Sequence, residues 1–315
     1  MMLQALQQSL IRLRLLFNRS FKTRSLKKRA CFVVVAQEPI IRLLWYCGGA
    51  FLLNNNIITS KDNPVVKLYQ KLSCSKKDRH EYGLFVLEGL RIVCDALNEK
   101  SGITHLIITE HSFEKFHDEI FQADLRGAKT LVISNELGNK IAGTTQTQGV
   151  FAICRIPEQK LFSFCENGKY IVLFGLQDPG NVGMIIRTAD ALGMNGIIMS
   201  GSCDLYSPKV IRSTMGSVFR TRIYIENDAD TLFEILNNNN ITTCASVIDN
   251  DAEKITTCNF SGGQAVLIGN EGNGLQIEVS ERCNKKITIP MCGNINSLNA
   301  AMAAGIIMWK LSESL

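Results

Sequence analysis

Two loops rich in Gly and Asn, Gly269 to Gly274 and Met291 to Ser297, lie in a C-terminal half that contains no histidine. The first follows the apolar run AVLI and the second follows ITIP, so each is read as the exit of a buried strand, the second ended by Pro290. Loops of this composition let backbone N–H and C=O groups come close to a flat ligand. With no imidazole at hand to move protons, this composition points to a cofactor site rather than an acid–base centre. A Ser/Asn cap then opens a helix whose Ala300, Ala301, Ala303, Ala304 and Gly305 leave one side nearly bare, so another segment is expected to pack closely there. A third block lies upstream. Tyr170 to Leu176 reads as a strand, Gln177 to Gly183 as a turn, and Met184 to Leu192 as a helix carrying Arg187 one turn in.

The order of the glycines excludes two common nucleotide sites. It is not G-x-G-x-x-G, and no G-x-x-x-x-G-K-[ST] occurs in the chain, so a dinucleotide-dependent oxidoreductase loses its fingerprint.

The elements that must carry these loops alternate along the chain. Strands at Tyr170 to Leu176, Gly196 to Ser200, Arg220 to Ile225, Ile241 to Val247, Ala265 to Ile268 and Lys286 to Ile289 alternate with helices, which predicts a mainly parallel α/β sheet covered on both faces. Ahead of it, a basic helix from Pro64 to Leu72, strands at Leu84 to Leu87, His105 to Thr109, Thr130 to Ile133 and Gly149 to Cys154, and helices at Gly89 to Asn98 and near Phe113 to Phe121 predict a smaller α/β unit. The expected division is 1–56 extension, 57–154 small α/β domain, 155–169 linker and 170–315 main domain.

At 315 residues with 46% hydrophobic content the chain can bury a sizeable core. Its net charge of +5 is misleading, because residues 1–56 carry nine Lys/Arg against Glu38, and the remainder is acidic. That extension has the composition of a transit peptide, or of a spurious upstream start. Its apolar patch, Ile40 to Leu53, contains Arg42 and is short of the roughly twenty residues a spanning helix needs, so no membrane anchor is read. Nucleic-acid binding must rest on local clusters: Lys67, Lys71, Lys76, Lys77 and Arg79 form one, and Arg212, with Lys209, Arg220 and Arg222, belongs to another. Eleven cysteines without a C-x-x-C suggest a reducing compartment, and no His/Cys spacing suits a metal.

Taken together, GLQDPGNVGMIIRTADALG, LIGNEGNGL and IPMCGNINSLNAAMAAG resemble, in order, the three motifs of the SpoU/TrmH ribose methyltransferases of the SPOUT class. The segment from ITSKDNPVVKLYQKL to TTQTQGVFAI also resembles that family's N-terminal substrate-binding domain, with Glu88, Gly89, Gln148 and Gly149 at matching positions. The resemblance implies an RNA 2′-O-methyltransferase using S-adenosylmethionine, a C-terminal trefoil knot, a ribosomal-protein-like RNA-binding domain and a homodimer. Ribosomal RNA is the implied substrate. A tRNA ribose is the alternative, and a silent RNA-binding or assembly protein of the same fold is a second class. By motif matching, Asn181, Arg187, Glu271, Ser297 and Asn299 are the implied catalytic set. Gly269, Ile289 and Leu298 are implied to bind the cofactor, with Met291 and Asn294 lining the same pocket. The family assigns activation of the 2′-OH to the Arg187 position. A guanidinium is essentially never deprotonated in proteins, so Arg187 is either a base in an unusual setting or a positioner oriented by Glu271. Asn299-Ala300-Ala301-Met302 and Asn273 depart from the usual motif, without removing a functional atom. The expected location is the cytoplasm, or an organelle if residues 1–56 are a presequence.

Overall fold

The computed structural model describes residues 32–34, 42–46, 49–53, 57–116, 119–120, 128–159 and 162–313. Residues 1–56 form one unit and residues 57–315 another. In the first, β1 (Phe32–Val34), β2 (Arg42–Tyr46) and β3 (Gly49–Leu53) make an antiparallel sheet with Phe32 paired to Trp45 and Leu44 to Phe51. Most of the basic stretch read as a presequence, and Asn54 to Asn56 at the end of the extension, lie outside the described residues. No helix of the described residues is long and apolar enough to cross a membrane.

The second unit begins with α1 (Pro64–Cys74), which Asn63 caps by accepting from Val65 N and Val66 N. Its Val66, Tyr69 and Leu72 are buried, which turns Lys67 and Lys71 outward. The sequence hid α2 (Lys76–Tyr82), because KKDRHEY has no apolar period. Ser75 starts it by accepting from Asp78 N, and Gly83, at φ +62°, ends it. Then come β4 (Leu84–Glu88), α3 (Leu90–Asn98), β5 (Ile103–Thr109), α4 (Glu110–Lys115), β6 (Lys129–Ile133), α5 (Asn135–Ile141) and β7 (Val150–Arg155). The strands form a sheet in the order β4-β7-β5-β6, with β7 antiparallel to both neighbours. The helix expected near Phe113 starts earlier, at Glu110, because the Thr109 side chain accepts from Ser112 N. Part of its expected end lies outside the described residues.

The main sheet follows. Its elements are β8 (Lys169–Phe174), α6 (Pro179–Ala191), β9 (Gly196–Ser200), α7 (Pro208–Ser213), β10 (Ile223–Ile225), α8 (Ala229–Asn238), β11 (Thr242–Ser246), β12 (Glu253–Lys254), β13 (Gln264–Ile268), α9 (Ile277–Glu281), β14 (Lys285–Thr288) and α10 (Ala300–Ser312). All seven strands are parallel, in the order β10-β9-β8-β13-β11-β14-β12. A parallel sheet must be covered on both faces. Ile171 and Leu173 of β8 meet Ile185 and Ile186 of α6 and Ile307 and Met308 of α10 in one core, while Tyr170 and Val172 meet Leu232 and Leu236 of α8 in the other.

One expectation is corrected here. The segment read as a turn up to Gly183 is already helical from Pro179, because Asp178 accepts from Asn181 N and Pro179 occupies the first helical position. The close packing expected on the small-residue side of the last helix is present at Ala301 and Ala304, 6% and 0% exposed in the core where α10 meets α6, whereas a Cβ at Gly305 would meet nothing within 4 Å. A second tight approach is on α6, where a Cβ at Gly183 would lie 2.3 Å from Ser213 Cβ and 3.0 Å from Val210 O.

Candidate active site at the reversal of the sheet

The chain builds outward from β8 to β9 and β10, then crosses to the other side of β8 for the remaining strands. The reversal lies between β8 and β13. In open α/β sheets the crevice outside the carboxyl ends of such strands is the natural ligand site. Here it is walled by Gly175 to Asp178 after β8 and by Gly269 to Gly274 after β13. Asn270 ties the walls together, its Nδ2 donating to Gly175 O at 2.9 Å.

Glu271 is the hub. Its carboxylate accepts from Gln177 N at 3.1 Å, Asp178 N at 2.9 Å and Asn181 Nδ2 at 3.1 Å. Burial pushes this carboxyl up, but those hydrogen bonds outweigh it and hold it below the usual carboxylate value. Asn181, only 9% exposed, passes the network on, since its Oδ1 accepts from Asn299 Nδ2 at 3.0 Å. Asn299 also caps α10 by accepting from Ala301 N and Met302 N. Three residues from three distant motifs therefore form one hydrogen-bonded chain joining α6, the β13 loop and α10.

Arg187 stands apart from it. The sequence reading paired its guanidinium with Glu271, and the structure corrects this: Glu271 is occupied as described, and no hydrogen bond or ion pair among the described residues engages Arg187. The cause is the early helix start. Asn181 and Arg187 are six residues apart on one helix, hence about 120° apart around its axis. Arg187 lies in the third turn of α6, on an exposed strip with Met184. Ser297 is likewise exposed, with no side-chain hydrogen bond among the described residues.

The expected pocket residues fall into two kinds. A Cβ at Gly269 would lie 2.3 Å from both Gly274 C and Leu275 N, so this glycine lets its own loop close on itself. Ile289 packs against the main core, whereas Met291, Asn294 and Leu298 are exposed in the loop after β14. Among the described residues no backbone hydrogen bond engages Ile289 to Leu298. That stretch can give all its donors and acceptors to a ligand, with Met291 and Leu298 as apolar flanks.

Of the cations assigned to nucleic acid, Lys71, Lys76 and Lys77 are exposed, and Lys67 is exposed but paired with Asp62 at 2.9 Å. Arg79 is corrected. It is 4% exposed, donates through Nε and Nη2 to Asp204 Oδ2 at 2.8 and 2.7 Å and through Nη1 to Leu72 O, and has no face left for RNA. Arg212 is partly spent, its Nη1 lying 3.2 Å from Glu88 Oε2. The described residues hold no group of His, Cys, Asp and Glu able to bind a metal.

Comparison with known proteins matches residues 168–309 to the SpoU rRNA Methylase family and residues 63–152 to the MRM3-like substrate binding domain. The chain is 28% identical over 258 residues to the 23S rRNA (guanosine(2553)-2′-O)-methyltransferase RlmP of Bacillus subtilis, covering 81% of this chain and 98% of that protein. It is 30% identical over 254 residues to an uncharacterised tRNA/rRNA methyltransferase of Synechocystis, covering 80% and 92%. Among solved structures it resembles an AdoMet-bound rRNA methyltransferase from Sinorhizobium meliloti at 31% identity and a TM-score of 0.71, over 82% of this chain and 98% of that one.

Proposed function

Because the chain belongs to the SpoU/TrmH family of RNA methyltransferases, we propose that it transfers a methyl group from S-adenosylmethionine to a ribose 2′-hydroxyl of ribosomal RNA. The observation that carries this reading is the hydrogen-bonded chain Glu271–Asn181–Asn299 beside a loop of unspent backbone. Gly269, Ile289 and Leu298, with Met291 and Asn294, would hold the cofactor, which supplies when bound a sulfonium methyl with its own leaving group. The protein's own work is alignment, and holding acceptor and donor near contact contributes on the order of 7 kcal/mol or more.

Within that frame Glu271, Asn181 and Asn299 fix the walls of the crevice. Arg187, with no partner among the described residues, holds a phosphate of the RNA through its guanidinium and steadies the oxyanion that develops at the 2′-oxygen. The 2′ proton leaves to water, since a guanidinium does not accept it. Ser297 presents its hydroxyl to the acceptor. Lys67, Lys71, Lys76 and Lys77, with Arg212 at the junction, form the cationic path for RNA.

Domain bounds of 57–154 and 170–315, joined by 155–169, are part of the proposal. So is a trefoil knot, supported by the return of the chain from β14 to pack α10 against α6 and β8. A homodimer is supported by Met302, Ile306 and Trp309, exposed at 56%, 37% and 63% with helical spacing on α10, and by Met184, 50% exposed on the same strip as Arg187. Trp309→Glu should then give one protomer mass in light scattering, and an unchanged dimer mass would reject this face. The cytoplasm is the proposed location, and a cleaved native N-terminus would move it to an organelle. Mapping 2′-O-methyl sites across total RNA with and without the gene tests the function. Loss of one ribosomal site is expected, loss of a tRNA site would reassign the substrate, and an unchanged map would reject the activity.

A further inference from the structure

The segment between β9 and α7 joins the small sheet to the catalytic helix. On one side it meets the RNA-binding unit: Arg79 of α2 holds Asp204 Oδ2, Tyr206 packs on Phe85 of β4 with ring centroids 5.0 Å apart, and Arg212 of α7 reaches Glu88 at the end of β4. Glu88 in turn accepts from Gly143 N at 3.0 Å and Thr144 Oγ1 at 2.6 Å, so it also anchors the exposed loop before β7. On its other side α7 seats against α6 at Gly183, and Lys209 Nζ lies 3.9 Å from Asp178 Oδ2, the cap of the catalytic helix.

Asp204 is built into this joint. Its Oδ1 accepts from Tyr206 N at 3.1 Å and its backbone carbonyl from Ser207 N, the turn that launches α7. Its side chain is 9% exposed and that of Arg79 is 5% exposed. A buried ion pair gains little over apolar packing because both charges are desolvated, but its directional bonds fix one arrangement.

Resting on the function proposed above, we propose that Arg79 and Asp204 are positioning residues that set where RNA held on the small sheet meets the catalytic turn, acting through α7 on α6. They touch neither RNA nor cofactor. Their loss moves the target ribose relative to Arg187 without weakening either ligand.

The test compares the full wild-type chain with Asp204→Asn and Arg79→Lys, using unmodified large-subunit ribosomal RNA made by transcription. Calorimetric affinity for S-adenosylmethionine and filter-binding affinity for the RNA should stay within twofold. The single-turnover methylation rate should fall at least tenfold, with methyl groups appearing on neighbouring riboses. Folded variants that lose only thermal stability, with rate and site unchanged, overturn the proposal. If both fail to fold, Tyr206→Leu at the ring contact with Phe85 decides: a lower rate at unchanged affinities supports it, and an unchanged rate and site overturn it. A wild-type chain that transfers no methyl sinks the functional reading and this inference with it. Wild-type transfer beside unaltered variants sinks the inference alone.

Discussion

Glu271 and Arg187 carry opposite charges on neighbouring elements, the β13 loop and α6, and their circumstances are opposite too. The carboxylate accepts from two backbone N–H groups and an amide, whereas the guanidinium meets no described partner. The difference separates scaffold from tool. Glu271, Asn181 and Asn299 spend their polar atoms on one another and hold the crevice open. Arg187, the Ser297 hydroxyl and the backbone of Ile289 to Leu298 have no such partner among the described residues, and they are the groups proposed to meet ligands.

The contrast breaks most completely at Gly269. A Cβ there strikes Gly274 and Leu275 backbone rather than a ligand, so Gly269→Val should disrupt the loop that carries Glu271 and abolish S-adenosylmethionine binding. Calorimetry showing wild-type affinity would reject the placement.

Neutralising the scaffold should cost less. Glu271→Gln keeps an acceptor but loses the charge-assisted bonds, worth about 1.5 to 3 kcal/mol when a partner is charged. The depressed carboxyl adds stability above the usual value of 4.5 and loses it as pH falls through its lower folded value. Wild type should therefore melt above the variant at pH 7, and the gap should close below pH 4.5. A gap that stays constant down to pH 3 would deny Glu271 this role.

The smallest effect belongs to α2 of the small sheet's unit. Charge reversal at the exposed Lys76 and Lys77 should weaken RNA binding at all sequences and lower the salt slope by about one to two, with cofactor affinity untouched. An unchanged slope would remove this patch from the RNA path.

The main strands were legible because uninterrupted apolar runs such as Tyr170 to Phe174 and Ala265 to Ile268 are what a doubly covered parallel sheet demands. That Asn181, Glu271 and Asn299 come together was legible through motif order. The site's wiring was not. Pairing Arg187 with Glu271 followed from charge, and missed that Asp178 and Pro179 start the helix early and rotate Arg187 away. The Asp-Pro pair itself was the signal that could have shown it. Arg79 looked like one more cation of a basic helix, because its partner Asp204 lies 125 residues on and no local pattern announces it.

Single-turnover methyl transfer by Arg187→Ala, measured beside its calorimetric affinity for S-adenosylmethionine, tests the division between scaffold and tool most directly. Affinity should match wild type, while transfer to alkali-resistant, 2′-O-methylated RNA should drop about a hundred- to a thousandfold, the loss typical of one preorganised donor to a developing oxyanion. Full transfer by the alanine variant would contradict the account and pass the role to Ser297 or Asn299.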